Sequence, residues 1–280
     1  MALDKRTNPF RPDLAASHLR GEVEAEHFAD GTSSEVVEPI ADVKCAPAPD
    51  AALDTQALLG ERVTVYEITE EGWAWGQLAS DNYVGWLPAN ALATPGAAPT
   101  HKVIVPRTLC FPGPNIKLPP AAALPLGATL AVARQAEPFS VTHNGWHIPA
   151  GHIAPLSAAY RDPVAVAEML LGAPYLWGGK SSLGIDCSGL VQVVLTATGH
   201  ACPRDSDMQE AALGREVALD ELARGDLVFW KGHVAIARDA RTLVHANAFH
   251  MMVAMEPAAD AVARIAAAGH KVSAVKRLQA

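Results

Sequence analysis

The part of the chain that begins near residue 157 changes its hydrophobic pattern partway along. Apolar residues recur at helical spacing in 164–171 and run almost unbroken through 190–195, a stretch that closes at Gly199. Beyond residue 226, apolar and polar positions alternate in short runs. We therefore expect an α+β domain with helices first and an antiparallel sheet after them. The predicted helices are 162–172, 187–199, 205–212 and 257–268, and the predicted strands are 226–230, 233–238, 242–247, 251–255 and 271–276.

Shorter alternating runs occupy the middle of the chain. Residues 62–68 alternate apolar and polar side chains, and turns at 70–72 and 80–82 separate them from apolar runs at 73–78 and 83–88. Short strands at this spacing, joined by tight turns, predict a small β-barrel.

A second unit of the same kind is predicted after a linker rich in proline and alanine, residues 93–100. The pair Gly145-Trp146 occupies the place that Gly72-Trp73 has in the preceding unit, which indicates a degenerate repeat. Its predicted strands are 102–105, 129–133 and 139–142.

These patterns divide the chain into four segments. We expect residues 1–40 to form a leader packed on the rest, with a strand near Val36. Residues 41–94 and 95–156 are predicted to be the two barrels, and residues 157–280 the α+β domain.

Composition limits the class of function. The 280-residue chain has a formal net charge of −8, which argues against a nucleic-acid partner or an anionic membrane surface. The N-terminus lacks the apolar core of a signal peptide, and no apolar run is long enough for a membrane span. The four cysteines show no CxxC spacing, as expected of free thiols in a reducing compartment. We therefore expect a cytoplasmic protein with a small, soluble substrate.

One cysteine stands where a glycine-rich stretch meets a predicted helix. Cys187 falls in the first turn, where unpaired N–H groups and the helix dipole favour a thiolate. The alternative is an ordinary buried cysteine. His233 and His245 stand on predicted neighbouring strands and could serve as base and orienting group for a thiol nucleophile. His233 shares a sheet face with two alanines, at 235 and 237, against which the cysteine helix could dock.

Three further histidines, at 143, 147 and 152, lie close together in the second barrel segment. Because they have no acidic or thiol companion nearby, we interpret them as surface histidines. The sequence therefore predicts no metal site and no cofactor.

The α+β segment carries five short motifs between residues 174 and 246. They are Tyr-x-Trp-Gly-Gly at 175–179, Asp-Cys-Ser-Gly-Leu at 186–190, Gly-Asp-Leu-Val-Phe-Trp at 225–230, Gly-His-Val-Ala-Ile at 232–236 and His-Ala at 245–246. Together they resemble the NlpC-type family of papain-like cysteine peptidases. Within residues 60–88, the order Gly-Glu-x-Val-x-Val, Gly-Trp and Tyr-x-Gly-Trp-Leu-Pro resembles a bacterial SH3-like domain. An α+β peptidase domain preceded by two such barrels is similar to the γ-D-glutamyl-L-diamino acid endopeptidase, or dipeptidyl-peptidase VI, branch of that family.

The resemblance implies roles for individual residues. Cys187 would be the nucleophile, His233 the general base and then acid, and His245 the orienting group. The Cys187 N–H and the Tyr175 hydroxyl would be oxyanion donors. The implied substrate-binding residues are Tyr83, Tyr175, Asp186, Ser188, Asp205 and Ser206.

Two points stay open in this assignment. Asp186 and Asp205 can equally be read as helix caps, and the two roles are compatible. The acidic partner for the substrate's amino terminus is not identified: Gln56 occupies a likely region, and the weaker candidates are Asp50, Asp54 and Glu61.

The function implied is hydrolysis of the bond between γ-D-glutamate and a diamino acid, meso-diaminopimelate or L-lysine. The substrates would be short murein peptides with a free N-terminal L-alanine, and the role would be recycling of cell-wall peptides. Two alternatives remain: an amidase or acyltransferase with the same thiol chemistry, and a non-enzymatic wall-binding module. The sequence does not indicate an oligomeric state.

Overall fold

The computed structural model describes residues 3–278 and divides the chain into two compact units, Met1–Leu156 and Ser157–Ala280. Together they confirm the predicted fold class, small β modules followed by an α+β domain.

The first unit consists of short strands. Three-residue 3₁₀ helices follow β1, β8 and β16. Its strands are β1 Leu14–Ala16, β2 His27–Ala29, β3 Thr32–Val36, β4 Ile40–Lys44, β5 Leu53–Leu58, β6 Arg62–Ile68, β7 Trp73–Leu78, β8 Val84–Pro88, β9 Leu92–Ala93, β10 His101–Val103, β11 Arg107–Cys110, β12 Ala122–Pro125, β13 Thr129–Leu130, β14 Val132–Arg134, β15 Phe139–Thr142, β16 His147–Pro149 and β17 Ile153–Pro155.

The first barrel is a seven-stranded sheet with the order β5-β4-β8-β7-β6-β3-β9. Strands β6, β7 and β8 lie where the alternation predicts them. Strand β3 comes from the predicted leader and pairs with β6, with Thr32 opposite Val65. Its last residue, Val36, is fully buried in the core of the barrel. The sheet therefore begins before residue 41, because the apolar Val36 fills the same core as the later strands.

A second β module follows between His101 and Pro155, with sheets β13-β10-β17, β11-β12 and β14-β15-β16. It has a core of its own, with Val103, Cys110, Leu124 and Ile148 fully buried. The two β modules therefore have separate hydrophobic cores and separate sheets.

The second unit contains the four α-helices found in residues 3–278 and a six-stranded antiparallel sheet of the order β20-β25-β21-β22-β23-β24. Its helices are α1 Pro163–Met169, α2 Cys187–Ala197, α3 Ser206–Ala212 and α4 Ala258–Ala267, with a 3₁₀ turn Leu219–Glu221. Its strands are β18 Lys180–Ser181, β19 Gly184–Ile185, β20 Arg215–Glu216, β21 Leu227–Trp230, β22 His233–Ala237, β23 Thr242–Asn247, β24 Met252–Pro257 and β25 Val272–Arg277.

Helices cover the sheet of the second unit. Ala261 of α4 packs in one cluster with Ala235 and Ala237 of β22. Helix α2 contacts β22 and β23 as well, and the side chains left for it are those of the opposite face, such as Val234 and Ile236. The expectation that the cysteine helix docks on the alanine face is therefore wrong, because α4 occupies that face.

Among residues 3–278, no helix is both long and apolar enough to cross a membrane.

Candidate active site

The candidate nucleophile is the first residue of a helix, as the glycine-rich motif predicts. Cys187 opens α2, and Asp186 is its N-cap, accepting the Gly189 N–H at 2.6 Å. The side chain of Cys187 is 7% exposed. A residue at this position has a backbone N–H without an intrahelical partner, so the N–H is available to a substrate oxygen.

The sulfur of Cys187 lies where two strands of the sheet separate. The pairing between β22 and β23 ends at Ile236 opposite Val244. Beyond that point, the N–H of Val234 is directed at the Cys187 sulfur, as is the N–H of Ser188. The thiol therefore lies against the beginning of β22, the strand whose first residue is His233.

His233 and His245 are in direct contact, as the strand assignment predicts. The Nε2 atom of His233 lies 3.0 Å from the Nδ1 atom of His245. If the register of β22 and β23 is continued one step past Ile236 and Val244, His245 comes level with Ala235, two residues from His233, so the two rings meet diagonally. Since Nε2 of His233 is used in this contact, Nδ1 is the ring nitrogen left for a thiol.

Two residues that the sequence analysis did not identify extend this histidine pair. Glu256 of β24 accepts from His245, with 3.0 Å between Oε2 and Nε2. Arg264 of α4 binds both carboxylate oxygens of Glu256, at 3.0 and 2.6 Å. The one feature of the sequence that could have indicated this extension is Glu256, a single acidic residue in an otherwise apolar strand.

Burial favours the uncharged forms of the Cys187 thiol and of the His233 and His245 rings. Burial raises the pKa of the Cys187 thiol to about 11, and the Asp186 carboxylate adds to the rise. Burial also lowers the pKa of His233 to about 3 and that of His245 to about 4. The expectation of a lowered thiol pKa is wrong for the resting site, because the desolvation of a buried sulfur outweighs the field of the helix start.

Asp186 and Ser188 flank the cysteine and belong to a buried polar network. Arg204, which the sequence analysis also missed, donates to Asp186 at 2.7 and 3.0 Å and to the Ser188 hydroxyl at 2.8 Å. The carboxylate also accepts the N–H of Gly178 at 2.8 Å. Asp186 therefore caps the helix, and the substrate-binding roles of Asp186 and Ser188 stay predictions.

Tyr175 approaches the site from the segment before β18. Its backbone bridges to Ile185, two residues before Cys187, and its side chain is half-buried. Burial, followed by the charge that Cys187 can carry, raises the pKa of the Tyr175 hydroxyl to about 12. A phenol that keeps its proton is a donor at neutral pH, as an oxyanion partner requires.

The remaining predicted substrate residues are Asp205 and Ser206 of the second unit and Tyr83 of the first. Asp205 and Ser206 begin α3, and Asp205 makes no side-chain cap bond to that helix, so a capping role is not seen. Tyr83 is buried in the core of the first barrel. In the same barrel, Gln56 donates to Asp42 at 3.0 Å. The substrate roles of Tyr83, Asp205 and Ser206 stay predictions.

A buried thiol at a helix start, together with two linked histidines on an antiparallel sheet, is the arrangement expected of a papain-like cysteine peptidase. Residues 172–264 match the NlpC/P60 family, and residues 45–92 match the bacterial dipeptidyl-peptidase SH3 domain. The chain therefore combines an NlpC/P60 domain with such an SH3 domain, which confirms the predicted family.

Named relatives are similar to parts of the chain. The chain is 40% identical over 90 residues to dipeptidyl-peptidase 6 of Lysinibacillus sphaericus, a match that covers 32% of this chain and 33% of that protein. It is 29% identical over 201 residues to the γ-D-glutamyl-L-lysine dipeptidyl-peptidase of Bacillus subtilis, covering 65% of each. These matches thus cover between a third and two thirds of the relatives' own lengths.

A solved NlpC/P60 family protein from Bacillus cereus has the same fold. It superposes with a TM-score of 0.75 over 88% of this chain and 99% of its own, at 21% identity. At this identity the likeness establishes the fold alone.

Proposed function

We propose that the protein is a cysteine peptidase that hydrolyses the bond between γ-D-glutamate and the diamino acid of short murein peptides. The diamino acid would be meso-diaminopimelate or L-lysine, and the peptides would carry a free N-terminal L-alanine. The observation that carries the proposal is the Cys187 thiol against the start of the strand that carries His233, whose ring is linked to His245, in a segment that matches the NlpC/P60 family.

The geometry supports acyl transfer through a thioester. His233 takes the thiol proton at Nδ1 as the sulfur attacks the γ-carbonyl carbon, and the electron pair of the carbonyl moves to its oxygen. The Cys187 N–H and the Tyr175 hydroxyl would stabilise that oxyanion. His233 then returns the proton to the leaving amine as the carbon–nitrogen bond breaks. Water, deprotonated by the same imidazole, hydrolyses the thioester and restores the thiol.

The names of the relatives support the substrate class. Two of them are γ-D-glutamyl-L-lysine dipeptidyl-peptidases from Bacillus subtilis and Bacillus cereus. A γ-DL-glutamyl hydrolase of Bacillus subtilis, 41% identical over 90 residues, also has a name that refers to γ-glutamyl bonds. The recycling role and the cytoplasmic location stay predictions.

The proposal is tested by incubating the purified chain with L-Ala-γ-D-Glu-meso-diaminopimelate and with its L-lysine counterpart. We expect release of L-Ala-D-Glu and the free diamino acid, and loss of this release in Cys187→Ala. The matched control is Cys45→Ala, which removes an exposed thiol far from the site in sequence. An N-acetylated peptide tests the need for a free amino terminus.

Other outcomes would favour the alternatives. Cys187-dependent turnover of an acyl-lipid or protein amide, with both peptides intact, would point to an amidase or acyltransferase. Murein binding without any Cys187-dependent turnover would point to a wall-binding module. Either result would overturn the proposed peptidase.

A further inference from the structure

The histidine pair continues into a carboxylate and a guanidinium, giving a chain of four linked side chains. His233 contacts His245 at 3.0 Å, His245 contacts Glu256 at 3.0 Å, and Arg264 closes on Glu256 at 2.6 Å. His245 is fully buried and Glu256 is 7% exposed. Each hydrogen bond therefore restricts which atoms of the neighbouring side chain can donate and which can accept.

The carboxylate determines which nitrogen of His245 carries the proton. An ionised carboxylate only accepts hydrogen bonds, so Nε2 of His245 must be the donor to Glu256. In a neutral imidazole the other nitrogen then has a lone pair, which makes Nδ1 of His245 an acceptor.

The same constraint passes to the second ring. Because Nδ1 of His245 accepts, Nε2 of His233 must carry a proton and donate to it. The neutral His233 ring is then unprotonated at Nδ1. This is the nitrogen that a general base needs to present to the Cys187 thiol.

Arg264 keeps the carboxylate ionised. Burial by itself would raise the pKa of Glu256, but the bidentate bond from Arg264 and the His245 contact hold that pKa below its usual value. The Arg264 guanidinium also lies 4.4 Å from the centre of the Phe249 ring, on the exposed side. The ion pair is therefore packed between the sheet and an aromatic side chain.

The same cluster could be considered as a metal site, but its charges argue against one. His245, His250 and Glu256 each offer a ligand atom within 4.8 Å of the others. Both oxygens of Glu256, however, are bound to Arg264, whose positive charge opposes a cation at the same place. The charges favour a hydrogen-bonded relay over an ion site.

We infer that Glu256 is a positioning residue, which fixes the tautomers of both His245 and His233 and so presents an unprotonated Nδ1 to Cys187. This inference rests on the proposed thiol chemistry and adds a carboxylate to the cysteine and two histidines that the sequence identified. Glu256 itself contacts neither the substrate nor the sulfur in this role.

The test uses Glu256→Gln, which keeps the size of the side chain but can donate as well as accept. The matched control is Asp226→Asn. Asp226, the residue just before β21, is also a buried carboxylate held by two bonds from an arginine, Arg277, both at 2.8 Å, but it does not contact either histidine. Thermal unfolding of both variants separates a loss of folding from a loss of positioning.

The first readout is the ¹⁵N spectrum of the histidine rings, assigned with His233→Asn and His245→Asn. The wild type and Asp226→Asn should show both rings protonated at Nε2 only, whereas Glu256→Gln should show mixed tautomers. Unchanged tautomers in a folded Glu256→Gln would overturn the inference. This measurement needs no substrate, so it decides about Glu256 even if the wild type cleaves neither murein peptide.

The second readout is peptide hydrolysis. We expect kcat of Glu256→Gln to fall roughly 10- to 100-fold with KM nearly unchanged, because the base is mispositioned and not the substrate. Asp226→Asn should keep its kcat per folded molecule. An equal fall in both variants would indicate a structural role only and would overturn the inference.

Discussion

Arg204 donates hydrogen bonds to both carboxylate oxygens of Asp186, at 3.0 Å to Oδ1 and 2.7 Å to Oδ2, and both side chains are buried. The same carboxylate accepts the N–H groups of Gly178 and Gly189. The Asp186 carboxylate therefore joins the glycine-rich segment that precedes Cys187 to the first turn of α2 that follows it, and Arg204 holds this carboxylate in place. The position of the nucleophile depends on it.

Removing the guanidinium should be costly for stability. In Arg204→Met, the Asp186 carboxylate stays buried without its counter-charge, and breaking a buried pair in this way costs about 3–5 kcal/mol of unfolding free energy. Urea unfolding of the variant measures the loss. The control is Arg238→Ala, which removes an exposed, solvent-screened ion pair to Glu168 and should therefore cost much less stability than Arg204→Met. Similar small losses in both variants would contradict the expectation.

The sequence predicted those parts of the site that depend on local pattern. The Asp-Cys-Ser-Gly order at the head of an apolar run was enough to place Cys187 in the first turn of a helix, because capping needs only neighbours in sequence. His233 and His245 could be paired because a short turn separates two strands. These inferences use distances of a few residues.

Glu256 and Arg204 escaped prediction for a different reason. Glu256 meets His245 only because β24 pairs with β23 in the register that puts Leu243 opposite Glu256, and one residue of slip would turn the acid to the other face. Arg204 lies between two helices, in a stretch without periodicity. The strand Thr32–Val36 was also placed in the leader, since its partner β6 follows it after a long gap in sequence.

A glycine in the first turn of α2 should not tolerate a side chain. A Cβ at Gly189 would lie 2.3 Å from the carbonyl oxygen of Gly179 and 2.9 Å from Oδ1 of Asp186. Gly189→Ala must therefore push the cap away from the helix, so we expect a loss of stability of roughly 1–3 kcal/mol and a fall in kcat. Gly151→Ala, where a Cβ meets nothing within 4 Å, is the control. Full activity and a wild-type urea midpoint in Gly189→Ala would show that the packing there is not tight.

The thiol of Cys187 should be slow to alkylate at neutral pH. Its pKa is raised to about 11 by burial, and the pKa of His233 is lowered to about 3, so a thiolate–imidazolium pair is not the resting state. We expect the rate of Cys187 modification by iodoacetamide to keep rising from about pH 6 to about pH 10, because only the thiolate reacts. Site-resolved mass spectrometry follows it beside exposed Cys45 in the same samples. A rate for Cys187 that is already constant around neutral pH would indicate a preformed ion pair.

The buried histidine pair should make the folded protein sensitive to acid. Burial lowers the pKa of His233 to about 3 and that of His245 to about 4, below the value of roughly 6.5 for an unfolded chain. Between these values the unfolded chain binds protons that the folded one does not. The stabilisation is therefore complete above roughly pH 6.5 and is lost as the pH falls toward the folded pKa values.

The loss should amount to roughly 1–2 kcal/mol for each histidine between about pH 7 and about pH 5. Urea unfolding at the two pH values measures it in the wild type and in His245→Gln, which removes one of the two titrating groups while Glu256, Arg264 and His250 remain beside the site. We expect His245→Gln to lose less unfolding free energy on acidification than the wild type does, whatever its stability at neutral pH. His270→Gln, at an exposed position, should behave as the wild type. An equal loss in the wild type and His245→Gln would mean that His245 takes up its proton in the folded state as readily as in the unfolded chain.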